Sequence, residues 1–177
     1  MNEEQSRRSF LQTAGAAGVV AALGKVDTDP QGYVLGRNEG EHLIHFRDHG
    51  NIFIKVGSAT GSDKLALGTQ QVTVGAGIPI HRHFYMDEAF CVLEGSGIFI
   101  LNDVRHHFEK GGAIFIPKNS WHGFANPDHE LLLLWTVTPA GLDGFFHDTC
   151  NPPGVPPKQI THEQVMEIAR KYGTEFK

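Results

Sequence analysis

Apolar and polar residues alternate with a period of two through most of residues 42–137, the mark of short strands with one face turned to a core. Strands are predicted over 42–46 and 51–56, parted by Asp48-His49-Gly50, and over 64–74, where Leu65, Leu67, Val72 and Val74 alternate. More follow over 88–93, 98–101, 104–108, 113–116 and 121–124, separated by turn residues such as Gly95-Ser96-Gly97 and Asn102-Asp103. This reads as a meander of short hairpins. Residues 131–137, LLLLWTV, are apolar without interruption, which predicts a strand buried on both faces.

Past residue 138 the period changes. Residues 138–146 predict a short capping helix whose Phe145 and Phe146 close one end of a barrel, and the four prolines within 150–157 predict a stiff, extended connector. Thr161 and Gln164 then have the spacing of a helix capping box. Val165, Ile168 and Ala169 continue at helical spacing, so a last helix is expected over 162–172 with Gly173 as its stop. The predicted class is all-β, an antiparallel barrel with short C-terminal helices.

A chain of 177 residues with 40% hydrophobic and 20% charged residues has room for one domain with a substantial core. Its net charge of −5 offers no basic patch to follow a phosphate backbone, so nucleic acid is not an expected partner. Two cysteines, Cys91 and Cys150, are too few for a disulfide scaffold. Cys91 reads as a small buried hydrophobe in the barrel wall, which argues against pairing with Cys150 even in an oxidising compartment.

The chemistry gathers in GAGIPIHRHFYMDEAFCVLEG, residues 75–95. His81 and His83 are two apart, so on a strand both imidazoles leave the same face. Glu88 lies at an odd offset from them and reaches that face only if the chain turns between Phe84 and Asp87, as a hairpin would make it do. His122 supplies a third imidazole. Three imidazoles and one carboxylate suit one divalent transition metal ion among Mn, Fe, Co, Ni, Cu and Zn. Such a set carries formal charge +1 and leaves positions for an anionic oxygen donor and for water or dioxygen. Glu88 is also the candidate proton acceptor. With Glu88 inward, Phe90 and Val92 share its face and Cys91 points away; Ile100, Phe115 and Phe124 complete the expected apolar substrate lining. His42, His45 and His49 read as surface or inter-subunit residues, and at most one of the adjacent His106 and His107 can face inward.

These residues resemble the two cupin motifs, G(x5)HxH(x3-4)E(x6)G and G(x5)PxG(x2)H(x3)N. Gly75, His81, His83, Glu88 and Gly95 meet the first; Gly111, Pro117, His122 and Asn126 meet the second, with Asn119 where the family has glycine. Asparagine is the non-glycine residue that best tolerates a left-handed turn. The resemblance implies a jelly-roll barrel, or double-stranded β-helix, with the metal inside. Softer likeness in 138–146 and 168–173 points to small quercetin dioxygenase-like cupins. What it implies is a dioxygenase acting on a small enolic or phenolic substrate, with a non-catalytic binding cupin or a decarboxylase-like lyase or isomerase as alternatives.

The first residues read as an address. Ser6-Arg7-Arg8-Ser9-Phe10-Leu11 before a Gly/Ala-rich apolar run resembles a twin-arginine export signal, which implies the twin-arginine export machinery as a partner and a periplasmic or otherwise exported destination. The run is too short to span a bilayer in the ordinary way, so stable membrane insertion is not expected. The expected division is 1–24 signal, 25–40 linker, 41–138 barrel and 139–177 capping helices with the Pro-rich connector. Exposed sheet edges make a homodimer the expected assembly.

Overall fold

The computed structural model describes residues 32–177 apart from Pro127, so the expected signal and residues 25–31 of the expected linker lie outside the described residues. Two antiparallel sheets face each other. The larger runs in the order β1 (Glu41–Ile44), β2 (Asn51–Val56), β3 (Ala66–Val72), β10 (Leu131–Thr138), β5 (Asp87–Glu94) and β8 (Ala113–Ile116). The smaller runs β11 (Thr174–Phe176), β4 (Ile78–His83), β9 (His122–Ala125), β6 (Ser96–Leu101) and β7 (Val104–Glu109). The protein is a jelly-roll, all-β as expected, with two short helices, α1 (Leu142–Thr149) and α2 (His162–Lys171).

The connections are less local than a meander. β6 and β7 form a hairpin, but β4 and β5 belong to opposite sheets, so the turn at Phe84–Met86 carries the chain across the barrel. That crossing, rather than a hairpin, brings Glu88 to face the histidines of β4.

The core lies between the sheets. Phe124 on β9 packs against Phe90 and Phe99, each with ring centroids 4.9 Å away, and against Phe108 at 5.4 Å. Facing it, Leu131, Leu133, Trp135 and Val137 of β10 are fully buried. The intervening Leu132, Leu134 and Thr136 are only half-buried, so β10 alternates instead of being sealed on both faces. Pairing with β3 on one edge and β5 on the other shields its backbone while its outer side chains still reach solvent.

β3 keeps the predicted phase at Val72 but not at Leu65 and Leu67. Its inward residues are Ala66, Gly68, Gln70 and Val72, whereas Leu65 and Val74 are exposed. Gly68 explains the choice: it sits opposite Trp135, and a Cβ there would come within 2.5 Å of the indole ring. Room for Trp135 sets the register, and a one-residue offset exchanges every face.

The C-terminal segment covers one end of the barrel. The capping box at Thr161 and Gln164 is formed in both directions, worth about 1 kcal/mol to α2. After Gly173 the chain does not stop but adds β11 alongside β4, pairing Thr174 with His83 and Phe176 with His81.

Candidate metal centre

β4 presents His81 and His83 on its inner face, and His122 begins β9 directly opposite His81 in the pairing register. Glu88 reaches them from β5 in the other sheet. The four side chains are buried, and their candidate ligand atoms all lie within 4.8 Å of one another. Glu88 Oε2 is 3.0 Å from His122 Nε2 and 3.2 Å from His83 Nε2. Two ligands bound to one ion at about 2.1 Å, a right angle apart, are separated by about 3 Å, so these spacings are those of neighbouring ligands.

The ring orientations agree. His81 Nδ1 donates to the Pro79 carbonyl at 2.8 Å and His122 Nδ1 to the Ser120 carbonyl at 2.9 Å, each two residues back in its own chain. A carbonyl can only accept, so both rings carry a hydrogen on Nδ1 and turn Nε2 inward, where that of His122 is hydrogen-bonded with Glu88 Oε2 at 3.0 Å. His83 Nδ1 meets Thr174 Oγ1 at 2.8 Å. Its Nε2 is buried with no hydrogen bond among the described residues; it faces Glu88 Oε2, but not along a hydrogen-bonding direction. The His83 Nε2, buried beside a carboxylate without a hydrogen bond, is a polar atom that a cation between the two groups would satisfy. The residues therefore fit a divalent transition metal, with outward Nδ1 atoms tied down as such ligands require.

Burial pushes the Glu88 carboxyl up, but the imidazoles of His83 and His122 outweigh it and hold the group well below the usual carboxylate range. Burial, followed by the neighbouring His122 and His83, drives His81 well below its ordinary value. The set is thus one anion and a neutral imidazole at His81 before any ion binds.

The loops that shape the site carry the sequence signals. Asn119 has φ 66°, the left-handed conformation in which asparagine replaces glycine, and its N–H donates to the His83 carbonyl at 2.7 Å. Asn126 is buried; it accepts from the Gly77 N–H and donates to the carbonyls of Val72, Thr73 and His129, fixing the approach to β4.

A cavity of about 290 Å³ opens onto His81, His83 and Glu88. Phe90 lines it, as do Phe46, Phe145, Phe146 and Phe176; Val92 and Phe124 are buried in the core and are not among its lining residues. The expected lining roles of Val92 and Phe124 are thus corrected, and so are those of Phe115 and Ile100. Phe115 is 64% exposed, because β8 turns Ile114 and Ile116 to the core side instead. Ile100 alternates with the buried Phe99 and so faces away. His45 is corrected in the other direction: it is buried and lines the cavity, not the surface. His106 and His107 are both exposed. Cys91 points outward as expected but is exposed rather than buried; Cys150 is buried, and both are free.

The family described as cupin domain matches residues 68–138, the stretch that carries all four residues of this site. Residues 4–24 match the twin-arginine translocation pathway signal sequence, so the chain carries an export signal for that machinery. No helix among the described residues is long and apolar enough to cross a membrane. Over 63 residues the chain is 32% identical to an uncharacterized protein of Methanocaldococcus jannaschii, covering 36% of this chain and 50% of that protein. The chain thus spans about half the length of the curated relative it matches. Among solved structures it is similar to an RmlC-like cupin from Shewanella frigidimarina, with TM-score 0.54 and 19% identity over 65% of this chain and 98% of the other. It is also similar to a predicted oxalate decarboxylase from Thermotoga maritima, with TM-score 0.54 and 18% identity over 60% and 99%. At these identities the likeness is one of fold.

Proposed function

We propose that the chain is an exported, metal-dependent cupin dioxygenase acting on a small enolic or phenolic compound. One observation supports this most: four donor atoms converge where His81, His83 and Glu88 line an aromatic cavity, with each histidine Nδ1 already engaged. His81, His83, Glu88 and His122 would hold one divalent ion. A redox-active ion such as Mn, Fe, Co, Ni or Cu supplies positive charge for a substrate oxyanion and an electron-exchanging centre for dioxygen.

The chain's own residues do the rest. Phe90, Phe145, Phe146 and Phe176 exclude water and bind an apolar or aromatic body. Glu88 stays ionised and offsets part of the positive charge, leaving a preference for one anionic ligand group. In the same reading Glu88 accepts a proton when it is released from the ion. The unpaired edges of β1 and β8, with Phe115 exposed on β8, support a two-fold homodimer, which light scattering reads directly.

The enzymatic reading is tested by oxygen uptake. Metal-loaded protein is offered flavonols, β-diketones and catechols, and uptake matched to cleaved product is expected with at least one. Tight binding without any uptake would replace the enzyme with a binding cupin, and carbon dioxide release without uptake would replace it with a lyase.

A further inference from the structure

Among the polar residues that line the cavity outside the metal set, Gln70, Thr174 and His45 have buried side chains, and His45 is the imidazole among them. It follows β1 in a turn closed by hydrogen bonds from the His45 N–H to the Gly50 carbonyl at 2.9 Å and from the His49 N–H to the His45 carbonyl at 3.1 Å. Gly50 presses against β3 so closely that a Cβ would lie 2.0 Å from the Gln71 carbonyl oxygen. The turn wraps around Asp48, whose Oδ1 accepts from the Gly50 N–H at 3.4 Å and whose Oδ2 accepts from the Thr73 N–H at 3.2 Å. The carboxylate so held meets His45 Nδ1 at 2.5 Å, with side-chain exposures of only 6% for His45 and 3% for Asp48.

This bond decides the tautomer. Burial lowers the His45 pKa, and Asp48 only partly opposes it; burial raises Asp48, but His45 and the two N–H donors outweigh that and keep it ionised. A neutral imidazole beside a carboxylate carries its hydrogen on Nδ1, which leaves the lone pair on Nε2. Nε2 has no hydrogen-bond partner among the described residues. It is also not among the buried polar atoms sealed from solvent, and His45 is a residue that lines the cavity.

The surroundings limit what can meet it. Among the described residues Glu88 is the only acid lining the cavity, while the exposed Arg47, His162 and Lys177 also line it. At about 290 Å³ the space is at the lower end of small-molecule pockets and suits a single-ring compound rather than a polycyclic one. Glu88 is engaged by the metal set, its Oε2 lying 3.2 Å from His83 Nε2 and 3.0 Å from His122 Nε2.

We infer that His45 and Asp48 form a second catalytic unit: His45 Nε2 takes the proton of an acidic O–H on a single-ring phenolic ligand, and Asp48 positions the imidazole. The inference deepens the proposed function and rests on it for the ligand class. In the step the ligand O–H bond breaks, the electron pair stays on oxygen, and an Nε2–H bond forms. The positive charge then sits beside the Asp48 carboxylate, and no oxidant or reductant is consumed.

The test uses 4-nitrocatechol, whose visible absorption reports its ionisation, titrated into wild type, His45→Asn and His45→Gln, with metal content measured on the same samples. Asparagine keeps an amide against Asp48 but deletes the Nε2 position; glutamine places an amide near Nε2 that can hydrogen-bond but not accept the proton. Wild type is expected to bind the probe in a more ionised form than free probe at the same pH. His45→Asn keeps its metal, binds about tenfold more weakly and shifts the bound spectrum toward the protonated form. His45→Gln regains affinity without regaining the ionised spectrum, and carries the comparison if His45→Asn does not fold. Wild-type affinity and spectrum in both variants, or no probe binding by wild type, would overturn the inference. Wild type without metal would remove the metal reading alone; the dyad would then stand or fall on the same spectral change in the metal-free cavity.

Discussion

His83 and Thr174 meet across the pairing of β4 with β11, imidazole Nδ1 to hydroxyl Oγ1 at 2.8 Å, both buried. The last strand of the chain therefore orients a histidine at the centre of the barrel. Thr174→Val preserves shape and removes the oxygen. It is expected to weaken metal binding by about 10- to 100-fold while leaving the fold intact. Competition with a chromophoric chelator measures this, and unchanged affinity would show that packing alone holds the ring.

Acid should destabilise the metal-free protein in a defined window. His45 and His81 are both pushed below the ordinary imidazole value of 6.5, so the unfolded chain takes up protons first as pH falls. Stability is fully present above that value and is lost as pH drops below it. Asp48, lowered from 3.8, adds a second loss at more acid pH. Thermal melts of apo-protein from pH 8 to pH 5 are expected to show a falling midpoint, with a shallower fall in His45→Asn. A flat profile would contradict the burial of neutral imidazoles.

Asn119 holds a left-handed conformation in the turn that delivers His122. Asn119→Gly is expected to be neutral or slightly stabilising, whereas Asn119→Val costs about 1–2 kcal/mol in denaturant unfolding. Equal stability of the two variants would mean that the turn relaxes to another conformation.

The cysteines should differ in reactivity. Cys91 is exposed, while Cys150 is buried and burial raises its thiol pKa. In the folded protein a maleimide is expected to label Cys91 alone, with Cys150 reacting only on unfolding. Rapid labelling of Cys150 would indicate opening of the end covered by α1.

Much of the metal set was legible because its spacing is local. A two-residue step puts His81 and His83 on one face, and Asn119 announces the turn before His122. The rest of the cavity comes from remote pieces with weak local signals. Thr174 and Phe176 belong to a strand of three residues, too short to show a period, and Gly173, read as a helix stop, is with φ 66° the turn into that strand. His45 looked superficial because its burial depends on the turn packing against β3 and on Asp48, which carried no pattern of its own. Ile100 and Phe115 were misplaced for a different reason: each strand starts in its own phase, and the sequence does not mark which residue begins it.

His81, His83, Glu88 and His122 are proposed to bind one transition metal ion together. The most direct measurement is elemental analysis of protein recovered after export, beside His83→Ala prepared in the same way. About one equivalent of Mn, Fe, Co, Ni or Cu, lost in the variant, is the expected result. One equivalent of Zn lost in the variant would keep the site but contradict the oxygen chemistry. No metal in either protein would contradict the account itself.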